Sequence, residues 1–279
     1  MSPEEKLDEL EELELRLLLD AIHGRYGYRF HDYTMSSLRR RVRVALARSG
    51  LSHLGELQHK LLHEPACFGQ VLDALTVRVS DMFRDPPFFA AFRQRVVPLL
   101  RTYPLLKIWH AGCASGEEVY ATAILLSEEN LYDRSQIYAT DMSGSALEAA
   151  RQGIYVEGRE EEFTQNYRQS GGRAEFSDYC TRGYGGIAMR ETLKRNVVFF
   201  QHNLASDYAL GEMHVIFCRN VLIYFGHKLR DQVFRTFDDS LSRGGFLCLG
   251  KSEGLPPGQA RTFAPFDMAE RIYQRRNAE

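Results

Sequence analysis

Over the first 95 residues apolar side chains recur every three or four positions, the spacing of helices that bury one face. Ser2 and Pro3 ahead of Glu4 and Glu5 mark a helix start, with Leu7, Leu10, Leu17 and Leu18 roughly on one side. A second helix is predicted from about Ser36 to Arg48, with Leu38, Val42 and Ala45 as its apolar stripe and Arg39, Arg40, Arg41, Arg43 and Arg48 along it. Past Tyr103 and Pro104 the pattern changes. Short runs rich in β-branched and aromatic residues (LLKIWHA, QIYAT, NVVFFQ, HVIFC, GFLCLG and RIYQ) alternate with helical segments, which predicts a mostly parallel sheet with crossover helices. The expected organisation is an all-helical domain over residues 1–95, a linker at 96–104 and an α/β domain over 105–279. No repeat or low-complexity stretch interrupts it.

In open α/β sheets ligands bind at the carboxyl ends of the strands, beside the point where strand order reverses. After the first strand come Ala111, Gly112, Cys113, Ala114, Ser115 and Gly116, whose glycines admit close approach of backbone to a ligand. Asp141 follows the second strand, 25 residues past Gly116, near the offset at which an acidic residue holds ribose hydroxyls in nucleoside-binding folds. The glycine spacing is G-x-x-x-G, not the dinucleotide G-x-G-x-x-G. Glu117 and Glu118 then open a helix, where a pyrophosphate would meet two negative charges. An ammonium group would instead gain a charge-assisted hydrogen bond, so the pattern suits a nucleoside with a positively charged amino acid tail, as in S-adenosylmethionine. The alternative is that both glutamates only complement the helix dipole.

Composition narrows the classes further. At 279 residues and 44% hydrophobic content the chain can bury a substantial core. Its apolar runs fall short of the ~20 residues of a membrane span, and its acidic, amphipathic start is unlike a secretory signal, so a soluble cytoplasmic protein is expected. The five cysteines are scattered without a Cys-x-x-Cys pair, so neither a disulfide framework nor a zinc site is indicated, and buried free thiols are expected. The nine histidines show no ligand spacing, and no metal is expected. A net charge of −2 gives no global attraction to nucleic acid.

The segments HAGCASGEEVYATAILL, IYATDMSGSALEAARQGIY, FFQHNLASD, VIFCRNVLIYF and, upstream, LTVRVSDMFRDPPFF together resemble the CheR-type chemoreceptor glutamate methyltransferases, in that family's order and over nearly the whole chain. FCRNVLIYF and MFRDP carry the specificity. The resemblance implies a Rossmann-like S-adenosylmethionine-dependent methyltransferase sheet, a small all-helical N-terminal domain and a small antiparallel β insertion, here a hairpin near 175–195. It implies that Glu118 holds the cofactor amino group, Asp141 the ribose, and Asn203 with Leu204 the region around the adenine. Gly112, Arg219 and Asn220 would line the cofactor cleft, and Arg84 and Tyr224 would face the transferred methyl. Each has a plainer alternative: Tyr224 as core, Asn203 as a turn residue, Arg84 as an ion pair with Asp85, Asp141 as a helix cap. The family usually has Asn and Thr in the stretch aligned with Arg78 and Ser80, and a second Phe at Met82. Ser80 keeps a hydroxyl, whereas Arg78 adds a cation that either helps hold the cofactor carboxylate or points away.

The implied product is S-adenosylhomocysteine and the implied partner a chemoreceptor's acidic helical bundle, with Arg39, Arg40 and Arg43 as a docking face and the enzyme expected as a monomer without membrane insertion. Two other classes are weighed: a non-catalytic cofactor- or receptor-binding module, and a nucleic-acid methyltransferase. Against the second, CRNVLIYF stands where base amino-methyltransferases usually carry an Asn/Asp-Pro-Pro-Tyr-like motif. Family members that grip a tail at the receptor's C-terminus have a longer loop where this chain has RGYGGIAM, so a tether-independent enzyme is expected.

Overall fold

A computed structural model describes residues 3–76, 80–156, 158–183 and 185–276, with side chains from residue 9 onward. It forms two compact units. The first comprises Met1–Val77, Ala205–Asp207 and Tyr224–Gln232, the second Arg78–Leu204, Tyr208–Ile223 and Val233–Glu279.

In the first unit α1 (Pro3–Tyr26) packs on α3 (Leu54–His63), and α2 (Met35–Arg48) on α4 (Phe68–Leu75). The stripe of α2 is the expected Leu38, Val42 and Ala45, joined by a buried arginine, Arg41. The buried face of α1 differs from expectation: Leu15, Leu18, Leu19 and Ile22 are buried, while Leu10 and Leu17 are exposed and the Leu7 side chain lies outside the described residues. Spacings of three and four from Leu15 to Ile22 make the tighter stripe. The segment 224–226 closes the unit through a bridge between Tyr33 and Phe225 and the Gly226 N–H donated to the Asp32 carbonyl at 2.6 Å.

The second unit begins with α5 (Pro86–Ala91), a wide π-helical turn at Phe92–Val96 and α6 (Val97–Leu100). The wide turn precedes Pro98, which has no N–H to give to the carbonyl four residues back. Residues 86 to 95, grouped by pattern with the helical domain, and 96 to 100, read as linker, pack here: the rings of Phe88 and Phe92 lie 5.9 and 5.3 Å from Phe217. The sheet follows as β1 (Leu106–Ala111), α7 (Glu117–Glu128), β2 (Ser135–Asp141), α8 (Gly144–Gln152), β3 (Ile154–Val156), α9 (Glu160–Gln169), β4 (Cys180–Gly183), β5 (Gly186–Met189), β6 (Val197–Gln201), β7 (Met213–Cys218), α10 (His227–Ser240), β8 (Leu241–Leu249), β9 (Phe263–Asp267) and β10 (Ile272–Arg275). Seven strands form the main sheet in the order β6-β2-β1-β7-β8-β10-β9. The first five are parallel, and β10 and β9 run antiparallel at one edge. β9 escaped the sequence reading because Pro265 interrupts it, which only an edge strand tolerates.

Strand order reverses between β1 and β7, so their carboxyl ends flank the ligand crevice of such sheets. The smaller sheet, β3-β5-β4, is the expected antiparallel insertion, and Gly183 pairs with Gly186 in its hairpin. Only glycine fits at 186, where a Cβ would stand 2.4 Å from the Tyr155 carbonyl. All five cysteines are free, four of them buried and Cys67 half-exposed. No described helix is long and apolar enough to cross a membrane.

Candidate functional site

The loop after β1 turns on Gly112 and Gly116, both at positive φ. A Cβ at Gly112 would lie 2.6 Å from a methyl of Val221, so the chains leaving β1 and β7 touch where glycine makes room. The Gly112 and Cys113 N–H groups both donate to the Thr140 carbonyl at 2.8 Å, tying this loop to the end of β2.

The two glutamates at the start of α7 part ways. Glu117 is buried and accepts the Ser115 hydroxyl; burial raises its pKa, and its hydrogen bonds only moderate the rise. Glu118 faces Arg219 at 2.7 Å and His110 Nδ1 at 3.2 Å. Burial would push Glu118 up, but the Arg219 charge and the His110 hydrogen bond outweigh it and hold the carboxyl below its ordinary value. The strand before it supplies that support: His110 lies in β1, stacked at 4.5 Å on Phe217 of β7.

Arg219 is more deeply set than a residue that merely lines a cleft. Its side chain is 2% exposed and sits 4.0 Å over the Phe88 ring. It bonds Glu118, the Asp85 carboxylate at 2.8 Å and the Arg84 carbonyl at 3.3 Å. Asp85 thus pairs with Arg219. The Arg84 side chain is half-buried next to this cluster in the chain.

Asp141 ends β2 with one oxygen on the Ala114 N–H and the other on the Ser143 N–H, each at 2.9 Å. It is not the helix cap: Ser143 caps α8 through the Ala146 N–H. The His202 N–H donates to the Asp141 carbonyl at 3.1 Å, which sets half-buried Asn203 and buried Leu204 just past the ends of β2 and β6. Asn220, at φ 62, follows Arg219 off β7. Ser80 is half-buried and its hydroxyl bonds Glu117. Arg78 lies outside the described residues. The second unit thus gathers Gly112, Glu118, Asp141, Asn203, Leu204, Arg219 and Asn220 at the carboxyl ends of β1, β2, β6 and β7.

Tyr224 belongs to the first unit and is half-buried rather than core. Its ring lies 4.2 Å from the Arg41 guanidinium, and its carbonyl accepts the Thr34 N–H at 3.0 Å. Arg41 donates to the Leu75 carbonyl at 2.7 Å, and burial lowers its pKa, partly offset by Tyr224 and Tyr33.

Several supporting residues escaped the sequence reading: His110, Asp85, Arg41 and Glu253, whose carboxylate accepts the Asn220 N–H at 2.8 Å. Glu253 carried a legible signal, an acidic residue soon after the GFLCLG strand and its terminal glycine. The chemistry of the donor set fits S-adenosylmethionine. An ionised carboxylate at Glu118 suits its ammonium, and an oriented carboxylate at Asp141 suits a ribose diol.

The chain matches the profile of the CheR methyltransferase SAM binding domain over residues 78–272 and that of the CheR methyltransferase all-alpha domain over residues 13–76. Cher3 of Pseudomonas putida, a provisionally named methyltransferase, is 44% identical over 265 residues, covering 95% of this chain and 97% of its own. Chemotaxis protein methyltransferase 1 of Pseudomonas aeruginosa is 33% identical over 240 residues, with 80% and 82% covered.

Proposed function

This chain belongs to the CheR methyltransferase family, and on that premise we propose that it transfers methyl from S-adenosylmethionine to glutamate carboxylates on the cytoplasmic helical bundle of a chemoreceptor, leaving S-adenosylhomocysteine. The observation that carries this reading is the pair of carboxylates, Glu118 and Asp141, fixed by Arg219 and by backbone N–H groups at the ends of β1 and β2. Glu118 would hold the cofactor's amino group, Asp141 its ribose, and Asn203, Leu204 and Asn220 the rest of its cleft. Ser80 and Arg78 would complete the cofactor shell from the segment ahead of α5.

When bound, the cofactor supplies an electrophilic methyl on a sulfonium. A receptor glutamate, with an ordinary pKa of about 4.3, is already ionised at neutral pH and needs no general base. The absence of a catalytic dyad from the proposed residues accords with that. Orientation is what the protein must provide, worth ~7 to 11 kcal/mol in well-aligned systems. Arg84 would align the incoming carboxylate through a planar guanidinium, and Tyr224 would face the transferred methyl with its ring held by Arg41. The protein would act in the cytoplasm, where that receptor bundle lies.

The test is incubation with labelled cofactor and candidate receptor cytoplasmic domains, followed by mapping of base-labile methyl esters. Esters on receptor glutamates are expected. Tight cofactor binding with no transfer to any receptor would sink the enzymatic reading in favour of a binding module.

A further inference from the structure

Beyond the end of β8 a single carboxylate ties together two strand ends. Glu253 is 2% exposed and accepts three backbone N–H groups: Asn220 at 2.8 Å and Gly250 at 2.6 Å on one oxygen, Ile223 at 3.2 Å on the other. Gly250 follows β8, whereas Asn220 and Ile223 lie on the segment leaving β7. The fit between the two is tight, since a Cβ on Gly250 would stand 2.7 Å from both the Asn220 nitrogen and the Glu253 carboxylate. Asn220 holds a left-handed φ of 62, a conformation that asparagine tolerates better than most non-glycine residues.

Burying a carboxylate costs solvation unless donors replace the water, and here three do. A neutral glutamine could not substitute without loss, because it presents an NH2 donor to one of the N–H groups that now meet an oxygen. Two of the three donors, Asn220 and Ile223, come from the one segment that leads directly into Tyr224, and the third, Gly250, ties it to the end of β8. Such a group acts by holding others at productive geometry without meeting the substrate itself.

We propose that Glu253 is a positioning residue for methyl transfer, pinning the segment from Asn220 to Ile223 so that Asn220 borders the cofactor cleft and the chain enters Tyr224 in a fixed direction. This rests on the reading of that cleft as the S-adenosylmethionine site. Loosening the pin removes no group that would touch cofactor or substrate but blurs where two of them stand.

The experiment compares wild type, Glu253→Gln and Glu253→Asp by thermal melting, calorimetry with S-adenosylmethionine and receptor methylation, all well below the melting temperature. Misplacement of reacting groups by about 1 Å can cost ~100-fold in rate, so the folded Gln variant should lose roughly 10- to 100-fold in kcat/KM, the larger share in kcat. Glu253→Asp, which keeps the charge on a shorter stem, should recover part of the loss. A folded Gln variant with wild-type affinity and turnover overturns the proposal. So does an Asp variant no better than Gln. Wild type that binds no cofactor overturns both this role and the functional reading, whereas binding and turnover in wild type with unaffected variants overturns the role of Glu253 alone.

Should the Gln variant fail to fold, amide exchange in the wild-type protein decides the matter. The amides of Asn220, Ile223 and Gly250 should be protected, with further slowing at Asn220 and Ile223 when S-adenosylmethionine is added. Exchange at unprotected rates, or no response to cofactor, overturns the proposal.

Discussion

Arg219 and Glu118 form a nearly buried ion pair at 2.7 Å, and the second edge of the same guanidinium reaches Asp85 at 2.8 Å. Because the folded pKa of Glu118 lies below its ordinary value, its contribution to stability is whole above about 4.3 and is lost as pH falls through the lower folded value. Arg219→Met removes the strongest cause that opposes burial. Glu118 should then titrate above the ordinary range, moving the acid limbs of stability and of cofactor binding to higher pH. Breaking such a buried pair should also cost ~3 to 5 kcal/mol. Melts and cofactor titrations across acid pH check this, and identical acid limbs in both proteins would refute the assignment of Arg219 as the controlling charge.

Glu118→Ala and Asp141→Ala should each weaken S-adenosylmethionine binding by roughly 1 to 3 kcal/mol, the scale of a lost charged or buried hydrogen bond. Asp141→Asn should fall between wild type and Ala, since Asn keeps one acceptor of the two that now serve Ala114 and Ser143. Calorimetry reads both. Unchanged affinity in the two Ala variants would remove the cofactor assignment.

The strand-end rule made much of this site legible. Gly112, Glu118, Asp141 and Asn203 each follow an apolar run closely enough to be read from sequence. What hid the rest is long-range partnership. An arginine on a basic helix reads as solvated, and nothing near Arg41 announces that Tyr224, far along the chain, will take its guanidinium. Asp85 beside Arg84 suggests a local pair, and nothing near it in the sequence announces that its carboxylate also meets Arg219. β9 is obscured by Pro265, and the phenylalanines of α5 look helical without revealing that they pack on β7. Glu253 stands just past the fifth parallel strand, β8, where the same strand-end rule applies.

Residues proposed to face the methyl should separate chemistry from binding. Arg84→Ala and Tyr224→Phe are expected to lower kcat more than cofactor affinity. Arg41→Met should behave like them, because a cation over a desolvated ring is worth up to about 2 kcal/mol and Tyr224 would lose that restraint. Equal losses in affinity and turnover would place these side chains in the binding site instead.

Receptor docking through α2 should fall unevenly on its arginines. Arg43 already meets Glu11 at 2.6 Å and Arg39 stands 3.8 Å from Glu12, while Arg40 is exposed with no ion pair among the described residues. Arg40→Glu should therefore slow receptor methylation and flatten its salt dependence more than Arg43→Glu does. Methylation that keeps its rate and salt dependence in both variants would rule out docking by this face.

The hairpin of β4 and β5 has four residues per strand and no long loop. A receptor stripped of its C-terminal tail should be methylated about as well as the intact one. Tethering raises apparent affinity ~100-fold or more through effective concentration, so a large loss of methylation on removing only the tail would contradict a tether-independent enzyme.

The first unit is assembled from three stretches widely separated in the chain, and that has a consequence for how the activity can be divided or inherited. A fragment starting beyond residue 80 would carry the whole seven-stranded sheet, Glu118, Asp141 and Arg219, yet its Tyr224 would be without the Arg41 guanidinium and the Thr34 amide. Recombination that moved only the sheet to another protein would transplant a nucleoside-binding scaffold and leave Tyr224, the tyrosine proposed to face the methyl, without these contacts. On the proposed role of Tyr224, the helical stretch and the sheet would have to travel together in any descendant that keeps transferase activity.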